Sequence, residues 1–190
     1  MIPHLPFYES LSISDLLNPQ NVETFANIFW PHGNPEFCNL VKSYANSLLK
    51  LDEMMKRMIL ENLGLEKHIN ELLDNFVLFR FTHYKGSSII NKDENNKYDG
   101  LGAHTDNDFL TFIAQNQVNG LQINKNGEWI DASISPNSFV VLSGHFIEAP
   151  KELVDEKHPL LFKPYEMQGL FNYAASNPGT ADVFKAYCGV

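Results

Sequence analysis

His104 and Asp106 are the side chains of this sequence best suited to hold a metal ion. They stand one residue apart in the segment GLGAHTD at positions 100–106. In a strand, residues i and i+2 point to the same side, so the imidazole and the carboxylate can aim at one point. One histidine and one carboxylate are two of the three ligands of non-heme Fe(II) oxygenases, which keep positions open for a cosubstrate and O2. Taken alone, a His-x-Asp spacing marks a solvated loop more often than a metal site.

Length and composition limit the class of protein. A chain of 190 residues favours one domain with a real core. The net charge of −9, with 14 scattered basic residues, argues against a nucleic-acid partner. Cys38 and Cys188 are too few for a disulfide framework. No apolar run reaches the ~18 residues of a membrane span and the start is unlike a signal peptide, so we expect a cytoplasmic protein outside the membrane.

The first part of the chain predicts helices after an irregular start. Residues 1–33 lack sustained periodicity and predict loop and short turns. Asn34, followed by Pro and Glu, predicts the start of a helix that Gly64 closes. Its apolar residues recur at steps of three or four and predict an inward stripe. The stripe consists of Leu40, Tyr44, Leu48, Leu51, Met55 and Met58. A second helix is predicted over Glu66–Asp74.

The middle of the chain predicts a mainly β core. The run Asn75–Tyr84 predicts a strand with Val77, Phe79 and Phe81 on one side. Further short strands are predicted at 103–105, 110–114, 121–123, 128–131 and 138–142. Asn-Gly pairs at 119–120 and 126–127 predict hairpin turns. We therefore expect a β-sandwich or barrel with flanking α-helices.

The chain as a whole predicts one domain over residues 1–190. Its parts are a helical lead at about 34–74, a β core at about 75–147 and a C-terminal tail at 148–190. One short helix is predicted in the tail, over Ala181–Tyr187 with Thr180 as its cap.

Several motifs, in one order along the chain, carry a family resemblance. They include GLGAHTD at 100–106, NGLQI at 119–123, GEWID at 127–131 and SFVVLSG at 138–144. FRFTHYK at 79–85 precedes them, and APKELV and HPLLFKP follow at 149–154 and 158–164. Together they resemble the plant iron(II)/2-oxoglutarate-dependent dioxygenases, in particular the AOP-like branch that modifies glucosinolate side chains.

The resemblance implies a fold, a cofactor and a cosubstrate. The fold is a double-stranded β-helix, or jelly roll, with Fe(II) on His104, Asp106 and a distant histidine. In the family, 2-oxoglutarate binds iron through its 2-oxo acid end, and an Arg-x-Ser motif meets its far carboxylate. Tyr84 matches a strand tyrosine that also touches this cosubstrate; a core tyrosine is the alternative. Ascorbate is the implied reductant, and the implied substrate is a small plant specialised metabolite.

The sequence departs from the family after Gly144. The segment that would supply the distal histidine and the Arg-x-Ser motif is missing, and no arginine follows Arg80. In the family this segment also contributes strands to the barrel, so we expect an incomplete jelly roll with exposed strand edges. We also expect the family's N-terminal portion to be absent before Met1. His145, directly after Gly144, is a candidate replacement for the third iron ligand; a surface segment is its alternative.

Three functions follow from these patterns. The first is an active oxygenase that converts 2-oxoglutarate to succinate and hydroxylates or desaturates a small molecule. The second is a truncated homologue with impaired or absent catalysis, because the far carboxylate of 2-oxoglutarate lacks its arginine. The third is a jelly-roll metal-binding protein or hydrolase. The sequence names neither the substrate nor the oligomeric state.

Overall fold

A computed structural model describes most of the chain in two compact units, Met1–His104 and Thr105–Val190. The described residues are 8–72, 77–85, 100–106, 108–144, 154–159, 162, 163, 165, 167–177, 180 and 183–189. The single domain over residues 1–190 stays a prediction.

The first unit combines a two-stranded antiparallel sheet with helices. The strands are β1 (Tyr8–Ile13) and β2 (Phe79–Tyr84), paired in register from Tyr8 with Tyr84 to Ile13 with Phe79. The helices are α1 (Pro19–Phe29), α2 (Pro35–Asn62) and α3 (Ile69–Leu72), with a 3₁₀ turn at Glu66–His68. The second predicted helix is thus a 3₁₀ turn followed by one α-helical turn, and residues 73–76 lie outside the described part.

β1 and α1 show that the prediction of loops over residues 1–33 was wrong. Asn18 caps α1, because its side chain accepts a hydrogen bond of 3.1 Å from the Gln20 amide and Pro19 follows it. Val22, Phe25 and Ala26 are buried at the i, i+3 and i+4 spacing of a helix. The helix has 11 residues, which is too short to show sustained periodicity. Like α2, it nevertheless begins with an Asn cap followed by Pro.

The extent of α2 was predicted correctly, but its inward face was not. Asn34 caps the helix through a 3.0 Å hydrogen bond from the Phe37 amide. The buried apolar residues lie on a neighbouring row of the helix and are Cys38, Val41, Ala45 and Leu60. By contrast, 69% of Leu40 and 62% of Met58 are exposed. Both rows have helical spacing, and the row with small side chains packs in the core cluster with Val22 and Phe25.

We expect neighbouring substitutions to Ala on α2 to separate these two faces. Val41→Ala removes two methyl groups from a side chain that is 5% exposed, so it should cost about 1.5 to 2 kcal/mol of unfolding free energy. Leu40→Ala changes an exposed side chain and should stay within about 0.5 kcal/mol of the wild type. Urea denaturation of both variants measures the difference. A larger loss for Leu40→Ala would show that the predicted stripe faces inward after all.

The inward side of β2 agrees with the prediction. Val77 and Phe79 pack against the core cluster, and the ring of Phe81 lies 6.0 Å from that of Phe25. The strand begins at Phe79, because 77 and 78 have no partner in β1. Residues 75 and 76 of the predicted strand lie outside the described part. The pairing of β2 with β1 holds Tyr84 at the end of the sheet.

The second unit contains two separate two-stranded sheets in its described residues. β3 (Leu110–Ile113) pairs with β6 (Val140–Ser143), and β4 (Gln122–Lys125) pairs with β5 (Glu128–Asp131). The β4–β5 hairpin was predicted from its Asn-Gly turn. Asn126 and Gly127 adopt φ angles of 54° and 88°, as a tight hairpin turn requires.

The second predicted hairpin, at Asn119-Gly120, was wrong. The ladder partner of β3 is β6 rather than β4, so the chain leaves the sheet after Ile113. The side chains of Gln115 and Asn119 hydrogen-bond to each other within the connection. An Asn-Gly pair makes a hairpin only when the two flanking runs pair with each other.

Two helices end the second unit. They are α4 (Met167–Ser176), which the sequence did not predict, and α5 (Val183–Cys188), close to the predicted final helix. Leu170, Phe184 and Cys188 form their buried cluster. The predicted start of α5 at 181 and 182 lies outside the described residues. None of the helices in the described part of the chain is long and apolar enough to span a membrane.

Candidate metal centre

The segment that carries His104 and Asp106 is irregular, so the predicted strand at 103–105 was wrong. Residues 101–106 have no ladder partner. Gly100 and Gly102 precede the pair, and glycine weakens a strand because it adds backbone freedom and offers no side chain to pack. His104 ends the first unit and Asp106 lies in the second. That both bind one metal ion therefore stays a prediction.

The imidazole of His104 is oriented by its own backbone. Its Nδ1 lies 2.8 Å from the carbonyl oxygen of Gly102. A carbonyl only accepts, so Nδ1 carries the proton and Nε2 carries the lone pair in the neutral ring. Histidine ligands are commonly fixed in this way, with the second nitrogen donating to a carbonyl or carboxylate. The exposed side chain of His104 is thus held in the tautomer that binds metal through Nε2.

The carboxylate of Asp106 is held by a threonine of β3. Thr111 Oγ1 lies 2.6 Å from Oδ2 of Asp106, and 3.0 and 2.9 Å from the two carboxylate oxygens of Asp108. Asp106 is half-buried. Neither Thr111 nor Asp108 was predicted to have a role from the sequence. The sequence signal that could have identified Asp108 is its position two residues after Asp106.

The end of β6 lies directly against the backbone of Asp108 and close to that of Asp106. The Gly144 amide donates a hydrogen bond of 3.1 Å to the carbonyl of Phe109. A Cβ at Gly144 would overlap the carbonyl oxygen of Asp108 and lie 2.8 Å from that of Asp106. Only a residue without a side chain fits this approach. The last residue before the departure from the family pattern is therefore a neighbour of Asp106.

Tyr84 lies at the open end of the β1–β2 sheet. Its ring centroid is 5.3 Å from that of Tyr8, and a Cβ at Gly100 would come within 2.7 Å of the Tyr84 ring. With 51% of the residue exposed, Tyr84 is not a core tyrosine. Partial burial is the main cause that raises the pKa of Tyr84 above its ordinary value of 10.0. The electrostatic effect of Tyr8 raises this pKa further, and the positive charge of Arg80 lowers it. The phenol is therefore a neutral hydrogen-bond donor near pH 7.

The other histidines considered as ligands have different positions. His145 lies outside the described residues. His158 is exposed in a turn, where its Nδ1 is 3.0 Å from Oδ1 of Asp155. Hydrogen bonds from the backbone amides of His158 and Lys157 lower the pKa of Asp155. His83 contacts Glu9 at 3.2 Å across the sheet, as a structural residue would. Within the described parts of the chain, no three His, Cys, Asp or Glu side chains form a group that could hold a metal ion.

The donor types nevertheless suit iron. An imidazole nitrogen and a carboxylate oxygen are the donors of the 2-His-1-carboxylate sites that bind Fe(II). His104 donates a hydrogen bond to the Gly102 carbonyl, and Asp106 accepts one from the Thr111 hydroxyl. Side chains that bind metals typically make an additional hydrogen bond of this kind, which orients them. The two residues fit Fe(II) in kind. That they supply two of its three protein ligands stays a prediction.

Comparison with known proteins identifies the family. The model of the 2OG-Fe(II) oxygenase superfamily matches residues 77–158, a stretch that includes Tyr84, His104 and Asp106. "Probable 2-oxoglutarate-dependent dioxygenase AOP1" of Arabidopsis thaliana is 30% identical over 90% of this chain and 70% of its own length. The chain belongs to the 2-oxoglutarate-dependent dioxygenase family. The predicted family and its AOP-like branch are confirmed. Fe(II) and 2-oxoglutarate are the family's cofactor and cosubstrate; ascorbate stays a prediction.

A further relative and two solved structures are also similar to this chain. "Probable inactive 2-oxoglutarate-dependent dioxygenase AOP2" of Arabidopsis thaliana is 24% identical and covers 98% of the chain and 78% of its own length. The dioxygenase for auxin oxidation 1 of Arabidopsis thaliana, solved with 2-oxoglutarate, has a TM-score of 0.64 at 23% identity, over 82% of this chain and 71% of that chain. The rice dioxygenase for auxin oxidation has a TM-score of 0.58 at 20% identity, over 97% and 74%. The predicted jelly-roll fold with flanking helices is confirmed.

The alignment with AOP1 also contains positions that this dioxygenase homologue lacks. It extends over 213 positions while using 90% of the 190 residues, so about 40 positions of the relative have no counterpart here. This agrees with the missing segment inferred from the sequence.

Proposed function

We propose that this protein is a dioxygenase-type oxidoreductase that holds Fe(II) with His104 and Asp106 and acts on a small plant specialised metabolite in the cytoplasm. The observation that carries the proposal is the His-x-Asp pair inside the stretch matched by the family model. The fixed tautomer of His104, with Nδ1 bonded to Gly102, supports it.

The chain's own residues provide binding and orientation. His104 offers Nε2, and Asp106 offers a carboxylate whose rotation is fixed by Thr111. The neutral phenol of Tyr84 can donate a hydrogen bond to a carboxylate oxygen of the cosubstrate, as the family resemblance implies. When bound, Fe(II) supplies the redox chemistry with O2 that couples decarboxylation of 2-oxoglutarate to oxidation of the substrate.

A second candidate function is a metal-binding homologue with impaired catalysis. No arginine follows Arg80 in the sequence, so the far carboxylate of 2-oxoglutarate lacks the family's charge partner. Within the described residues, no three His, Cys, Asp or Glu side chains form a group that could hold a metal ion. Both observations favour weak or absent turnover without arguing against metal binding. The hydrolase considered from the sequence has no comparable support.

Succinate formation from 2-oxoglutarate under air distinguishes the two candidates. We expect Fe(II)-dependent succinate from the full chain, at a rate below that of AOP1, and none from His104→Ala. His158→Ala is the matched control, because His158 is an exposed histidine in a turn. Metal binding with no more succinate than His104→Ala would establish the second candidate. Equal metal binding by His104→Ala and wild type would overturn the iron site itself.

His145 is tested in the same assay. It directly follows Gly144, which lies against the backbone of Asp106. If His145 supplies the third ligand, His145→Ala should lower both Fe(II) affinity and succinate formation, while His158→Ala should leave both unchanged. Unaltered Fe(II) affinity in His145→Ala would remove it from the site.

A further inference from the structure

We propose that Thr111 is a positioning residue that sets the direction in which the Asp106 carboxylate meets a metal ion. The inference rests on the proposed iron site at His104 and Asp106. It adds to that site a side chain which does not itself bind metal. Its basis is the contact between the Thr111 hydroxyl and the carboxylates of Asp106 and Asp108.

The Thr111 hydroxyl has one proton and three carboxylate oxygens within 3.0 Å. The distance to Asp106 Oδ2 is 2.6 Å, whereas the two Asp108 oxygens lie at 3.0 and 2.9 Å. A charge-assisted hydrogen bond from a hydroxyl to an ionised carboxylate measures about 2.5–2.7 Å between the two oxygens. The distance to Asp106 lies in this range, and the two distances to Asp108 are longer. The proton therefore belongs to the bond with Asp106. Asp108 stands beside it as the second, longer acceptor.

The backbone fixes the position of this hydroxyl. Thr111 pairs with Leu142 in the β3–β6 ladder, and threonine is stiff at χ1 because its Cβ is branched. Gly144, two residues after Leu142, holds the end of β6 against the backbone of Asp108 and close to that of Asp106. Donor and acceptor are thus held by the same pair of strands. With Oδ2 fixed by Thr111, the rotation of the Asp106 carboxylate, and so the direction of Oδ1, is fixed as well.

Loss of the hydroxyl should weaken metal binding without unfolding the chain. Removing a hydrogen bond that orients a metal-binding side chain lowers metal affinity by about 10- to 100-fold. Thr111→Val keeps the branched shape and suits a strand, so we expect this loss for Mn(II), a stand-in that avoids oxidation. Thr111→Ser keeps a hydroxyl and should bind Mn(II) nearly as tightly as the wild type.

Anaerobic calorimetric titration of the full chain with Mn(II) tests the inference. Thr24→Val is the matched control, since the Thr24 hydroxyl also donates a hydrogen bond, of 2.9 Å, but to the Gln20 carbonyl of α1. We expect Thr111→Val alone to lose affinity. The thermal midpoint of the metal-free proteins should show that Thr111→Val is folded, and Thr111→Ala replaces it if it is not.

The outcomes separate this inference from the proposed function. Mn(II) binding by wild type that is lost in Asp106→Ala and weakened in Thr111→Val, with rescue by Thr111→Ser, supports both. The same binding with equal affinity in Thr111→Val overturns the role of Thr111 and leaves the iron site intact. If the wild type binds no Mn(II), the proposed site fails, and the inference fails with it.

Discussion

2-Oxoglutarate is expected to bind the Mn(II)-loaded protein at least about 30-fold more weakly than it binds Mn(II)-loaded AOP1. The reason is that removing one partner of a buried charge pair reduces the binding free energy by about 2–5 kcal/mol. The family resemblance assigns the far carboxylate of 2-oxoglutarate to an Arg-x-Ser motif. The last arginine in this sequence is Arg80, before the His-x-Asp pair, and no Arg-x-Ser follows. Anaerobic calorimetry on both proteins measures the difference.

A second ligand shows whether the far carboxylate is recognised at all. 2-Oxopentanoate has the 2-oxo acid end of 2-oxoglutarate and a methyl group in place of the far carboxylate. We expect this protein to bind the two ligands with similar affinity, and AOP1 to prefer 2-oxoglutarate strongly. An equally strong preference here would mean that another cation has replaced the arginine. Tyr84→Phe then tests the remaining contact: it should weaken both ligands if the phenol touches the shared end.

Gly144→Ala is expected to cost about 3 kcal/mol of unfolding free energy, at the upper end of the usual range for overpacking. The added Cβ would overlap the Asp108 carbonyl and press on the Asp106 carbonyl and an Asp108 carboxylate oxygen. Two of these atoms belong to the backbone and cannot rotate away. Either β6 or the backbone at Asp106 and Asp108 must move, so Mn(II) affinity should fall together with the free energy of unfolding. Urea denaturation and Mn(II) titration measure the two effects.

Gly120→Ala is the control for this substitution. No atom lies within 4 Å of a Cβ built at Gly120, and its φ angle is not in the left-handed region. The same change there should leave stability within about 0.5 kcal/mol of the wild type and should not alter Mn(II) affinity. If Gly144→Ala behaves like Gly120→Ala, β6 does not hold the Asp106 segment in place.

The sequence predicted best where a local signal is decisive. The cap at Asn34 and the glycine at 64 bounded α2, and Asn126-Gly127 specified the β4–β5 hairpin. It failed where two arrangements satisfy the same pattern. Two rows of α2 have helical spacing, and the packing of Cys38 and Val41 with Val22 decides which one is buried. No periodicity within α2 contains that information.

For the candidate site, the sequence predicted which residues take part better than it predicted how they are arranged in space. His104, Asp106 and Tyr84 came from spacing and family resemblance, while the strand expected to align the first two is absent from residues 101–106. The roles of Thr111 and Gly144 depend on β3 pairing with β6, which brings residues about 30 positions apart side by side. The Asn-Gly pair at 119–120 pointed instead to a local hairpin.

The register of β1 with β2 has a consequence for synthesis of the chain. Tyr8 pairs with Tyr84, so the first strand has no ladder partner until all of α1 and α2 and the second strand have been made. At about 5–20 residues per second, the ribosome needs on the order of ten seconds to reach that point. During this interval β1 is an unpaired strand on a nascent polypeptide, the state in which chaperones capture their clients. We therefore expect the folding of this unit to benefit from chaperones during synthesis.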